Sequence, residues 1–211
     1  MTATPLPETH CLVLIDLQDD FRPGGALAVA DGDAVVPIAN QLAAKFDCVV
    51  ATQDWHPANH GSFATQHEGH APGELIELHG LTQVLWPDHC VQHTAGAEFV
   101  DGLDESQITK VFPKGTDVTI DSYSGFFDNG QRQDTGLAKW LEGQGVTKVY
   151  VLGVATDYCV KFTALDAVGC GFETVLVEDA CRGVEMNPGD IAAALTEMTA
   201  AGVARIQSRD V

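Results

Sequence analysis

Val149-Tyr150-Val151-Leu152-Gly153-Val154-Ala155-Thr156-Asp157-Tyr158-Cys159-Val160-Lys161-Phe162-Thr163-Ala164-Leu165-Asp166-Ala167 changes its periodicity halfway. Residues 149–152 are continuously apolar, the pattern of a strand buried on both faces. After a turn at Gly153-Val154-Ala155, an amphipathic helical pattern starts near Thr156 and Asp157. Cys159 is therefore predicted in the first turn of a helix that follows a strand. Free backbone N–H groups and the positive end of the helix dipole favour an anion there. That placement predicts a lowered thiol pKa and a nucleophilic thiolate. Against it stands the ordinary fate of a free cysteine, a small buried apolar side chain.

The same alternation extends along the chain. Apolar runs at 11–15, 48–52, 110–112, 148–152 and 174–177 predict buried strands, with a weaker one at 204–207. Helical patterns lie at 34–46, 135–142, 157–168 and 190–201. Strands alternating with helices predict a parallel sheet covered on both faces. Residues 54–93 break the pattern: they are rich in His, Pro and Gly and lack clear periodicity. Irregular segments of that length inside a domain are usually functional. With no internal repeat or linker, residues 1–211 are expected to form one domain.

Hydrophobic residues make up 45% of the 211 positions and charged residues 19%, which excludes general disorder. A net charge of −19 argues against nucleic acid or an anionic membrane as partner, since both would be repelled. Residues 1–10 carry no basic flank and the apolar run after them is short, so neither a signal peptide nor a membrane span is expected. Cys11, Cys48, Cys90, Cys159, Cys170 and Cys181 have no disulfide-like spacing and read as free thiols of a cytoplasmic protein.

Ligands of open parallel sheets bind beyond the carboxyl ends of the strands. There the predicted strands end on Asp16, Asp54 and Lys114, and a fourth leads to Cys159. Taken singly, Asp16 could cap backbone N–H groups and Lys114 could be an exposed lysine. Together, Asp16, Lys114 and Cys159 supply a base, a cation and a nucleophile, the set that amide hydrolysis through a thioester needs. Backbone N–H groups near Ala155 and Cys159 are placed to hold an oxyanion. A second cluster comprises Asp54-Trp55-His56, then His60, and further on Trp86-Pro87-Asp88-His89-Cys90. Asp54, His56 and His89 make a mixed carboxylate and imidazole set suited to zinc, iron or manganese, with positions left open for water or substrate. The remaining histidines are expected to face solvent. Phe21 and Trp86 flank these motifs, and Tyr123 joins them as a pocket candidate; core packing is the alternative for each.

These motifs resemble the isochorismatase-like cysteine hydrolases, most closely their bacterial nicotinamidase/pyrazinamidase group. The resemblance rests on Asp16-Leu-Gln-Asp-Asp-Phe21 with Gly24-Gly25, on Asp54-Trp-His56-Pro-Ala-Asn-His60-Gly-Ser-Phe63, on Trp86-Pro-Asp-His89-Cys90-Val and on Gly153-Val-Ala-Thr-Asp-Tyr-Cys159-Val. It implies a three-layer α/β/α fold with a central six-stranded parallel sheet. It implies Asp16, Lys114 and Cys159 as the catalytic triad and an oxyanion hole at Ala155 and Cys159, with a cis peptide between Val154 and Ala155. It further implies one divalent metal, zinc first and iron or manganese next, on Asp54, His56 and His89. His60, then Ser62, is the candidate for a fourth ligand. Phe21, Trp86, Tyr123 and Ala155 are the implied substrate contacts. The implied activity is hydrolysis of nicotinamide to nicotinate and ammonia in NAD salvage, with pyrazinamide also accepted and self-association open. Asp19 stands where many relatives have asparagine, and the position is expected to point away from substrate.

Two rivals remain. Another carboxamide or carbamoyl amidase of the superfamily would generally lack the Asp54, His56 and His89 ligand set. A non-catalytic metal-binding protein would have no use for both Cys159 and Lys114.

Overall fold

All six predicted apolar runs enter one parallel sheet. The structure, a computed structural model, describes residues 6–211. Its elements follow the order β1 (His10–Ile15), α1 (Val36–Ala43), β2 (Cys48–Asp54), β3 (Leu75–Leu78), β4 (Leu81–Val84), β5 (Lys110–Lys114), α2 (Leu137–Gly143), β6 (Lys148–Val154), α3 (Lys161–Gly169), β7 (Glu173–Arg182), α4 (Asp190–Ala200) and β8 (Ala204–Ile206). The large sheet has the order β5-β2-β1-β6-β7-β8, with every pairing parallel. Helices cover it in a three-layer α/β/α arrangement, α1 packing on β1 and α3 on β6 and β7. Among the described residues, no helix is long and apolar enough to cross a membrane.

The continuous apolar runs follow from this architecture. Cys11 to Ile15 and Val149 to Leu152 are buried along both faces of the sheet, so alternation would have put polar groups in the core. From the neighbouring central strands β1 and β6, the chain winds outward in opposite directions. Their carboxyl ends therefore border the crevice where such sheets bind ligands. β1 stops at Ile15 and Asp16 turns off with φ 48°, while β6 runs on to Val154. Gly153 permits this close approach: its φ is 130° and a Cβ there would collide with the carbonyl of Ile15.

The structure corrects three local expectations. Residues 54–93 contain a small antiparallel hairpin, β3 with β4, in place of uniformly irregular chain. His79 and Gly80 turn it with φ 48° and 85°, a two-residue turn whose sequence lacks the usual Asn-Gly or Asp-Gly. The helix predicted over 34–46 is α-helical only at Val36–Ala43, preceded by a 3-10 turn at Gly32–Val35. The helix predicted from Asp157 opens with a π-helical turn, Thr156–Val160, before α3 begins.

Candidate active site

Lys114, the last residue of β5, is fully enclosed, and its ammonium is satisfied by the groups around it. Nζ lies 3.0 Å from Asp16 Oδ2 and 2.5 Å from Asp54 Oδ1. It also donates to the carbonyl of Ser122 at 2.9 Å and reaches Cys159 Sγ at 3.4 Å. A buried cation persists only when paired in this way. Asp16 is oriented from its other side by Thr52, whose hydroxyl donates to Oδ1 at 2.6 Å and accepts from the Asp16 N–H at 3.2 Å. The structure thus brings Asp16, Lys114 and Cys159 together.

Cys159 sits inside the π-helical turn. The carbonyl of Ala155 accepts from the N–H groups of Tyr158 and Val160, passing over the Cys159 N–H between them. Single π turns recur at functional sites because they reorient one or two backbone groups. The peptide between Val154 and Ala155 is cis, as the resemblance implies. Asp157 ties the turn to the chain beyond β7, accepting from the N–H groups of Val184 at 2.9 Å and Glu185 at 2.7 Å.

The electrostatics differ from the expectation of a thiol with lowered pKa. Burial pushes Cys159 well above the ordinary thiol range; Lys114 opposes that shift, while Asp16 and Asp54 add to it. Helix position alone suggests the reverse, because neither the burial of the sulfur nor the two carboxylates from other strands can be read at that scale. Burial likewise raises Asp16 to about 6 against the pull of Lys114. Burial also disfavours the ionised form of Asp54, but Lys114 and the imidazoles of His56 and His89 outweigh it and hold this carboxyl below its usual range. Burial thus favours the thiol form of Cys159, and a carboxylate oxygen of Asp16 lies within 4.8 Å of its sulfur.

The second face of the site is built by Asp54, His56 and His89. Both His56 Nε2 and His89 Nε2 lie 3.8 Å from Asp54 Oδ2. Their Nδ1 atoms are engaged elsewhere, by the carbonyl of Gly115 at 2.9 Å and that of Pro87 at 2.8 Å. Such contacts fix the tautomer that leaves the Nε2 lone pairs turned inward, as in metal-binding histidines. The three side chains bring one donor atom each within 4.8 Å of the others. This donor set fits a divalent ion. Gly115, with φ 63°, stands directly against the His56 ring, and a Cβ there would collide with it. Gln18 holds the backbone of Asp54 from both sides: Oε1 accepts from its N–H and Nε2 donates to its carbonyl, each at 2.8 Å.

His60 and Ser62, the expected fourth-ligand candidates, occupy the far side of His56. His60 Nδ1 and Ser62 Oγ lie 2.7 Å apart, so the hydroxyl is already engaged. His60 Nε2 is buried without a hydrogen-bond partner, and His60 groups with Asp121 and His56, the last shared with the Asp54–His56–His89 set.

A small, mainly apolar cavity reaches both Cys159 and the Asp54–His56–His89 set. Phe21, Trp86, Tyr123 and Ala155 are among the residues that line it. Trp86 Nε1 donates to the Tyr123 hydroxyl at 3.2 Å, which fixes two aromatic walls relative to each other. Sequence reasoning missed four further lining residues, Leu27, Asp121, Tyr158 and Val184. Leu27 and Val184 arrive on irregular segments that carry no periodic signal. Tyr158 had a signal, its place beside Cys159, and its ring meets Trp86 edge-on at 4.9 Å. Asp19 is partly exposed, pairs with Arg22 at 2.8 Å and is not among the residues that line the cavity.

The sequence pattern of the Isochorismatase domain matches residues 10–210. The chain belongs to the isochorismatase family. The nicotinamidase of Escherichia coli (strain K12) is 51% identical to it over 199 residues, covering 92% of each chain. Among solved structures, a nicotinamidase/pyrazinamidase of Acinetobacter baumanii superposes with a TM-score of 0.94 at 50% identity, covering 97% of this chain and 98% of its own. A pyrazinamidase of Pyrococcus horikoshii in complex with zinc has a TM-score of 0.77 at 42% identity, covering 95% of this chain and 99% of its own. Family members therefore include a metal-containing amidase with this architecture.

Proposed function

We propose that this chain is a nicotinamidase, hydrolysing nicotinamide to nicotinate and ammonia in NAD salvage, and that it also deamidates pyrazinamide. One observation carries the reading: Cys159, held beside Lys114 and Asp16, faces the same aromatic-walled cavity as the Asp54–His56–His89 set. Likeness to named nicotinamidases over most of both chains supports it.

In this reading Asp16 accepts the proton of the Cys159 thiol, and the sulfur attacks the carboxamide carbon. N–H groups of Ala155 and Cys159 hold the resulting oxyanion. Asp16 returns the proton to the departing nitrogen, the C–N bond breaks and ammonia leaves a thioester. Asp16 then takes a proton from water, the hydroxide attacks the thioester and the acid departs as the thiol reforms. Lys114 keeps Asp16 in place and offsets negative charge on sulfur. A divalent ion, zinc first, would be held by Asp54, His56 and His89 and would supply a Lewis acid for a pyridine nitrogen, orienting the carboxamide toward Cys159. Phe21, Trp86, Tyr123 and Tyr158 would enclose the flat ring. We assign the whole chain to one catalytic domain acting in the cytoplasm.

The test is ammonia release from nicotinamide, pyrazinamide and carbamoyl substrates, with metal identity and content measured on the same sample. Turnover of the two pyridine- and pyrazine-type amides, abolished in Cys159→Ala, is expected. Turnover of carbamoyl substrates alone would overturn the assignment.

A further inference from the structure

Cys11 and Cys48 are registered partners across β1 and β2, at the amino ends of those strands. They therefore lie at the opposite end of the sheet from Asp16 and Asp54, and the amidase reading gives them no task. Their sulfurs are 2.8 Å apart. Neighbouring strands stand about 4.8 Å apart, inside the Cα separation of roughly 4.4–6.8 Å that a disulfide spans. Exposure is unequal: Cys11 is at 0% and Cys48 at 9%. Among the described residues, no other pair of cysteines is in hydrogen-bond contact through sulfur.

We propose that Cys11 and Cys48 form an oxidisable dithiol, which a peroxide converts into a disulfide joining β1 to β2. The unequal exposure sets the order. Deprotonated Cys48 sulfur attacks one oxygen of hydrogen peroxide; the O–O bond breaks, and the released hydroxide takes up a proton as water. Cys48 is left as a sulfenic acid. Cys11, already in contact, then attacks the Cys48 sulfur; an S–S bond forms and the S–O bond breaks. The departing hydroxide leaves as water with the Cys11 proton. Two thiols have lost two electrons and two protons, and one peroxide has become two waters. The enclosed partner needs no access to solvent, since only Cys48 meets the oxidant. Because Cys11 resolves the sulfenic acid at once, Cys48 is shielded from irreversible oxidation. The bridge ties the start of β1 to the chain beyond α1 and restricts the unfolded state.

The test treats the native, full-length protein with hydrogen peroxide, quenches free thiols by alkylation under denaturing conditions and maps peptides without reduction. The expected result is a peptide linking Cys11 to Cys48, cleaved by dithiothreitol, absent in both Cys11→Ser and Cys48→Ser, with a higher Tm for the oxidised wild type alone. If either variant folds poorly, Cys48→Ala replaces it, and the wild-type peptide map still decides. Cys48 found as sulfinic or sulfonic acid, or both thiols still open to alkylation after other cysteines have reacted, would overturn the proposal. These readouts do not depend on amide turnover, so they stand or fall apart from the amidase reading.

Discussion

Asp54 gives one carboxylate oxygen to Lys114 at 2.5 Å and turns the other toward His56 Nε2 and His89 Nε2, each at 3.8 Å. One side chain therefore belongs to both the thiol cluster and the metal-type cluster. Replacing it should disturb both faces, whereas replacing a histidine should disturb one.

This divides the expected phenotypes of the ligand set. His89→Ala should lower metal content and raise KM while leaving the alkylation rate of Cys159 close to wild type. Asp54→Asn should lower metal content and also change that alkylation rate, because Lys114 loses a partner. Metal analysis and iodoacetamide kinetics on the two variants check this; identical alkylation in both would refute the dual role.

Asp16 is raised to about 6 by burial, and it acts as a base only when ionised. The acid limb of kcat/KM should therefore fall as pH drops through about 6, since protonation removes the acceptor for the thiol proton. Thr52→Val removes a hydrogen bond that favours the carboxylate, so the limb should move to higher pH. A limb that stays in place in Thr52→Val would detach it from Asp16. Asp16→Asn itself should lower kcat by at least about 100-fold.

Lys114 is the cation that chiefly opposes the upward shift of Cys159. Lys114→Ala should slow alkylation of Cys159 at neutral pH by about 10-fold for each unit that the thiol pKa rises. Circular dichroism identifies any variant that has lost its fold, and Lys114→Met, which keeps much of the buried volume, serves as the second probe. Alkylation as fast as wild type in a folded variant would remove the lysine from the triad.

Asp157 anchors Val184 and Glu185 to the turn that bears Cys159. Asp157→Ala should let the Val184 wall of the cavity drift and raise KM more than it lowers kcat. Steady-state kinetics with nicotinamide test this; a loss confined to kcat would mean that the carboxylate serves the nucleophile rather than the pocket.

The sequence made much of this site readable because its principal residues punctuate apolar runs. Asp16 follows β1, Asp54 and Lys114 close β2 and β5, and Cys159 opens the helical segment after β6. Each is announced by a local change of pattern. The parallel sheet was readable for the same reason, since strands buried on both faces cannot alternate. What escaped depends on chain segments meeting in space. Val184 and Leu27 reach the cavity from loops, and nothing local distinguishes them from other apolar residues. The direction of the Cys159 shift was misjudged because its causes, burial beside Asp16 and Asp54, arise only when three strands converge. The β3–β4 hairpin escaped because four-residue strands turned by His79-Gly80 give too short a signal.

Gln18 offers a different lesson about how a crevice is opened in a sheet. Where β1 ends and Asp16 swings away, β2 continues and its last residue would be left without a neighbour on that side. The amide side chain of Gln18 meets both backbone groups of Asp54, as a peptide of an adjoining strand would. In hydrogen-bonding terms the ladder has one rung more than its backbone provides. The gap needed for a ligand is thereby made without orphaning a buried peptide group. A leucine at this position would fill similar space yet leave that rung missing.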